Sequence, residues 1–173
     1  MTDRALIEYL VNQFEGSKYT DLATDCGGPT RFGVTRDNLA EFQGVPLGQI
    51  TAAEIIALTR AQAVTILLAL FMAKPGLGKI VNARLKLAAV NYAILSGRTP
   101  AIRALQKATG VVQDGIFGPA SVTVVNASDP AEVRELVLAD HLARLGHLIT
   151  TADREEKQKI TVLIDQLDPD RRC

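Results

Sequence analysis

Between Glu15 and Thr35 the chain reads EGSKYTDLATDCGGPTRFGVT, a run of carboxylates, hydroxyls and glycines set among leucine- and alanine-rich helical patterns. A glutamate at the end of an amphipathic helix, with a glycine-rich hairpin able to fold back over it, is placed for general acid work. Partial burial there raises a carboxyl pKa toward working pH. A second carboxylate across a cleft, with Asp25 and Asp21 the nearby candidates, would complete the pair that hydrolyses a glycosidic bond. The same spacing is met by a solvated helix end followed by Asx turns. Gly27, Gly28 and Gly33 allow the tight turns that bring backbone close to a ligand.

The elements that must position these groups are mainly helical. Ala5, Leu6, Tyr9, Leu10 and Phe14 recur at helical spacing, so a first helix spans residues 3 to 14, with Asp3 as N-cap, and ends close to Glu15-Gly16. The segment to Gly33 reads as loop or hairpin, and TRFGV has strand character. Thr35 caps a second helix over 36 to 42, a T-x-x-E capping box at Thr51 and Glu54 opens a third, and a fourth runs from Thr59 to Met72. KPGLGK (Lys74 to Lys79) reads as a breaker and linker, since its Gly-x-Gly lacks the strand and spacing of a phosphate loop. Helices follow near 81 to 95, 100 to 109, 119 to 126, 130 to 149 and 152 to 167, with a turn at VQDGIFGP. The expected fold is mainly α, with a small β-hairpin near the candidate carboxylates.

Composition narrows the function classes. The 173 residues are 47% apolar, enough to bury a substantial core, and 19 Lys plus Arg balance 19 Asp plus Glu. No strong field therefore draws the chain to nucleic acid or anionic membrane, and no nucleic-acid partner is expected. The longest apolar run, AVTILLALFMA (Ala63 to Ala73), falls short of the roughly 20 residues that span a bilayer, so no transmembrane segment is expected. The start, MTDRALIEYLVNQF, lacks a Sec-type signal pattern, and synthesis in the cytoplasm is the expectation. Cys26 and Cys173, one in an early loop and one at the last residue, are poor evidence for a disulfide framework. His141 and His147 fall on different faces of one helix as solvated or core-edge residues, so no metal site and no cofactor are expected. Arg144, Arg154, Lys157 and Lys159 give the C-terminal region positive charge that reads as a solvated face by default and, alternatively, as one able to meet anionic cell wall.

FEGSKYTDLATDCGGPTRFGVT resembles the opening of the phage-type lysozymes of glycoside hydrolase family 108, whose pattern is approximately E-G-G-Y, a polar run, then D-P-G-G-x-T-x-F-G-I-T. Further on, NYAILSGRTPAIRALQKATGVVQDGIFGPASV is similar to the peptidoglycan-binding half of these proteins. The resemblance covers about residues 5 to 148. It implies a lysozyme-like catalytic half over 1–79 and a helical, predicted peptidoglycan-binding half over 80–173 packed on the same core.

On that resemblance Glu15 takes the position of the essential glutamate that protonates the bond between N-acetylmuramic acid and N-acetylglucosamine. Asp25 and Thr30 take hairpin positions that steer water or stabilise the oxocarbenium-like transition state. Ser17 replaces the second glycine, Lys18 intervenes before Tyr19, and Cys26 replaces the proline. Asn91 and Leu95 stand where the family commonly shows an aspartate and an asparagine. With no tryptophan in the chain, sugar stacking falls to Tyr19, Phe32 or Tyr92. Thr35 and Asn91 complete the expected contacts, and Gln106 with Asp114 either touches glycan or builds a turn. The implied partner is the peptidoglycan glycan strand, reached after pore release or as a virion or secretion-system component with an assembly partner. The alternative implied function is a non-catalytic descendant that binds peptidoglycan or serves a structural or assembly role.

Overall fold

The amphipathic N-terminal pattern forms helix α1 (Asp3–Phe14), which turns Leu6, Ile7, Leu10 and Val11 inward. The structure, a computed structural model, describes residues 1–14 and 30–151. The cap of α1 is Thr2 rather than the expected Asp3. Thr2 Oγ1 accepts from the Ala5 N–H at 3.2 Å, which leaves the Asp3 carboxylate to take Lys86 Nζ at 2.7 Å and tie α1 to α5 (Ala83–Ser96).

The expected hairpin is present as a two-stranded antiparallel ribbon, β1 (Thr30–Arg31) and β2 (Val34–Thr35), with Thr30 opposite Thr35 and Arg31 opposite Val34. Phe32 and Gly33 link the strands with φ of 53° and 78°. Two positive φ values in a two-residue loop are the type I′ pattern that matches strand twist. Phenylalanine is strained there by roughly 1 kcal/mol, which its packing against the core and the Arg31 guanidinium 5.1 Å from its ring centroid offset. Val34 is fully buried and pins the ribbon to the helices.

Helix α2 (Arg36–Gln43) starts directly from β2, with Thr35 as N-cap and Gly44 closing it in the left-handed region. The capping box at α3 (Ala52–Ala57) is realised in both directions, Glu54 N–H to Thr51 Oγ1 at 3.3 Å and Thr51 N–H to the Glu54 carboxylate at 2.8 Å. A second box, Thr59 with Gln62, opens α4 (Arg60–Leu67). The single helix expected to Met72 instead widens into a π-helical turn over Leu68–Ala73, where the Lys74 N–H reaches the Ala69 carbonyl at 2.9 Å. The wider turn puts Leu70, Phe71 and Met72 together in the core. KPGLGK breaks the helix as expected, yet it is no free linker, because Leu77 and Ile80 are buried in the same core.

After α5, whose Asn82 cap accepts from the Arg84 and Leu85 N–H groups at 3.0 Å, come α6 (Arg98–Ala108), α7 (Pro119–Ala127) and α8 (Pro130–Thr151). Helices α5, α6 and α8 pack on one another. One hydrophobic cluster runs from Leu6 of α1 to Val137 of α8. The helix expected over 152 to 167 lies outside the described residues, and no described helix is long and apolar enough to cross a membrane.

Candidate active site

The ribbon and the α5–α6 corner face each other across a cleft of about 310 Å³, lined by Thr35 and Asn38 on one side, Phe71, Ala93 and Ile94 beneath, and Gly97 to Pro100 on the other. Directly opposed residues of an antiparallel pair share a face, so Thr30 lies on the same face of the ribbon as Thr35, while Val34 points the other way into the core. Thr35 Oγ1 accepts from the Asn38 N–H at 3.2 Å, which fixes both residues at the start of α2. Gly97, with φ of 98°, makes the corner between α5 and α6.

One ion pair sets the spacing of the two sides. Arg98 donates from both terminal nitrogens to the Glu41 carboxylate, each at 2.7 Å, and from Nη1 to the Leu70 carbonyl at 3.3 Å in the π-helical turn. Its guanidinium also sits 5.7 Å from the Phe71 ring centroid. Lys74 Nζ adds a third donor to Glu41 at 2.6 Å. The Arg98 hydrogen bond is the main cause that holds the Glu41 carboxyl down at about 2, with Lys74 adding to it against the opposing effect of burial. A bidentate arginine–carboxylate pair fixes both distance and orientation, so α2 and the ribbon at its head are locked to the first turn of α6.

The other residues singled out from sequence separate into three groups. Glu15, Tyr19, Asp21 and Asp25 lie outside the described residues. Thr30, Phe32 and Thr35 are gathered on the ribbon. Tyr92, Gln106 and Asn91 are not gathered there. Tyr92, expected to stack on sugar, is 1% exposed; its ring stacks on His141 at 4.0 Å and its hydroxyl donates to Asp140 at 2.8 Å, so no ring face is left for a ligand. Burial, reinforced by that carboxylate, pushes the Tyr92 phenol well up. Asn91 is half-buried on α5, whereas the residues that α5 gives to the cleft are Ala93 and Ile94.

Gln106 is buried and saturated. Its Nε2 donates to Asp114 at 2.7 Å, the Ile116 carbonyl at 3.1 Å and Ser121 at 3.2 Å, and its Oε1 accepts from the Gly115 N–H at 2.9 Å. Of the two readings open for Gln106 and Asp114, the geometry is that of the turn. Hydrogen bonds from the Ile116 N–H and then from Gln106 lower the Asp114 carboxyl. That turn in turn supports the cleft: a Cβ on Gly115, at φ of 77°, would come within 2.8 Å of Thr99 Cγ2. His141, expected to be solvated or at the core edge, is fully buried, with Nε2 3.1 Å from Ser96 Oγ and, among the described residues, no partner at Nδ1. Burial, with Arg144 nearby, lowers its pKa to about 4 although Asp140 opposes the shift.

Asn38, Glu41 and Arg98 went unnoticed in the sequence. Asn38 had a local signal, since it stands at the third position after a capping threonine. Arg98 follows the Ser-Gly of the second motif, but its partner Glu41 is remote in sequence and no periodicity links them.

Residues 9–97, just over half of the chain, match the family model described as Glycosyl hydrolase 108. Among solved structures, that of SagA from Brucella abortus is similar, with 23% sequence identity, a TM-score of 0.77, and coverage of 95% of this chain and 92% of that one. At that identity the likeness is one of fold. No curated protein matches the chain.

Proposed function

The chain belongs to the glycosyl hydrolase 108 family, and on that premise we propose that it is a peptidoglycan muramidase that cleaves the β-1,4 bond between N-acetylmuramic acid and N-acetylglucosamine. Glu15 is the general acid that protonates the leaving oxygen, and the water on the opposite face of the sugar is activated by Asp25 or through Thr30. The observation that carries this reading is the cleft between the ribbon and the α5–α6 corner. Its walls come from elements inside or next to the family match, which ends at Gly97. The mainly α, lysozyme-like fold supports the same reading. A site that excludes water and holds a glycan against a helix-end carboxyl needs a rigid frame, and the Arg98–Glu41 pair supplies one.

The second half of the chain contributes the first turn of α6 to the cleft, and glycan contact there falls to that turn rather than to Gln106. The non-catalytic reading has its own support. Leu95 offers no polar group where the family commonly has an asparagine, and Tyr92 is unavailable for stacking. Release of reducing ends from purified peptidoglycan by wild type and Glu15→Gln separates the two. Muramidase action predicts a loss of at least two orders of magnitude in a folded variant. Activity unchanged by that substitution refutes Glu15 as the acid, and a folded wild type inert on several peptidoglycan types selects the binding role.

A further inference from the structure

The polar atoms of the cleft divide into those already committed and those still open. Thr35 Oγ1 holds the Asn38 N–H, and the Arg98 guanidinium is held by Glu41 and the Leu70 carbonyl. The Asn38 carboxamide and the Thr99 hydroxyl line the same space and bond to no described residue. They stand on different elements, α2 and α6, which the Arg98–Glu41 pair keeps in register. Beneath them Phe71, Ala93 and Ile94, with Pro100 at the side, form an apolar floor.

We propose that Asn38 and Thr99 are specificity-determining residues that read the acetamido group and a neighbouring hydroxyl of one N-acetylhexosamine unit, with the acetamido methyl on the apolar floor. The inference rests on the muramidase reading for its substrate and goes beyond it in naming the residues that select the sugar. The Asn38 carboxamide can donate to the acetamido carbonyl, which stands out from the ring with the methyl beside it, whereas a plain hydroxyl at that carbon is shorter, does not reach the same donor and leaves the apolar floor uncovered. The cleft volume of about 310 Å³ lies at the small end of ligand sites, so it takes one such unit and not a longer segment. Because Glu41 neutralises Arg98, that wall suits a neutral sugar group.

The test compares binding of tri-N-acetylchitotriose and of cellotriose, the same β-1,4 backbone without acetamido groups, to the full chain by calorimetry or NMR titration. Wild type is expected to prefer chitotriose by at least tenfold. Asn38→Asp keeps the size and favours the first turn of α2 electrostatically, so it folds, yet it removes both amide donors. It is expected to weaken chitotriose roughly five- to tenfold, the scale of one hydrogen-bonded contact, and to bring the preference close to one. Thr99→Val is expected to weaken both sugars by a smaller factor, and on peptidoglycan both variants raise KM more than they lower kcat. Equal binding of the two sugars by wild type, no binding of either, or wild-type preference retained in Asn38→Asp overturns the inference. Failure of the muramidase reading shows differently, as absent reducing-end release from peptidoglycan while the chitotriose preference persists.

Discussion

Replacing Glu41 by glutamine tests the frame of the cleft without touching the proposed chemistry. In the folded protein this carboxyl is held from its ordinary value near 4.5 down to about 2, chiefly by the Arg98 guanidinium. A shift of that size sets a ceiling of roughly 3 kcal/mol. The Glu41 and Arg98 side chains are 26% and 30% exposed, and screening at such a site reduces the effect to about 1–2 kcal/mol. Because the folded pKa is depressed, the stabilisation is fully present above pH 4.5 and is lost as pH falls toward 2. Urea unfolding of wild type and Glu41→Gln is therefore expected to differ by about 1–2 kcal/mol at pH 7, by less than half of that at pH 3, and by roughly a tenth of it near pH 2. Comparing the two proteins cancels the other carboxylates that titrate over the same range. A stability difference that stays constant from pH 7 to pH 2.5 would refute the argument, since it would show that the charge on Glu41 contributes nothing.

His141 gives a second pH signature: its folded pKa of about 4 lies below its ordinary 6.5, so the protein loses stability as pH drops from 6.5 to 4. His141→Leu is expected to flatten that part of the stability curve by up to roughly 3 kcal/mol. Tyr92→Phe removes the hydrogen bond to Asp140 and is expected to cost about 1 kcal/mol in urea unfolding with no change in glycan release; a selective loss of release would return Tyr92 to the substrate. Gln106→Leu strands the Gly115 N–H and the groups around it, and a loss of roughly 2–3 kcal/mol in thermal or urea unfolding is expected.

Local chemistry was legible and remote chemistry was not. The Thr51–Glu54 box, the Thr35 cap, the TRFGV hairpin and Pro119 at the head of α7 each depend on residues within one turn, and each is present. Thr2 displaced Asp3 as a cap because either side chain fits that position, and a lysine on α5 decided between them. Tyr92 and Gln106 look like surface-reading residues in a helical pattern. Their burial follows from His141, Asp140 and the DGIFG turn, which fold against them from far along the chain. The cleft itself is made of pieces from α2, the π-helical turn, α5 and α6, so its existence was legible only through the family motifs. The residues expected to do the proton transfer, Glu15 and Asp25, lie outside the described segments, and their roles rest on the resemblance.

The π-helical turn at Leu68–Ala73 bears on how the length of this chain is able to vary. Such a turn holds one residue more than the α-helical path would need, and here the carbonyl of Leu70 within it receives Arg98. A deletion of one residue elsewhere in α4 or α5 would rotate every following side chain by about 100° around the helix axis and empty the core. Within Leu68–Ala73 the same deletion would let the helix close to a regular α path, with the cost concentrated on the Leu70 anchor. This segment is thus the place where homologous chains are expected to differ in length by a single residue, and where that difference tracks the presence or absence of an arginine at the head of α6.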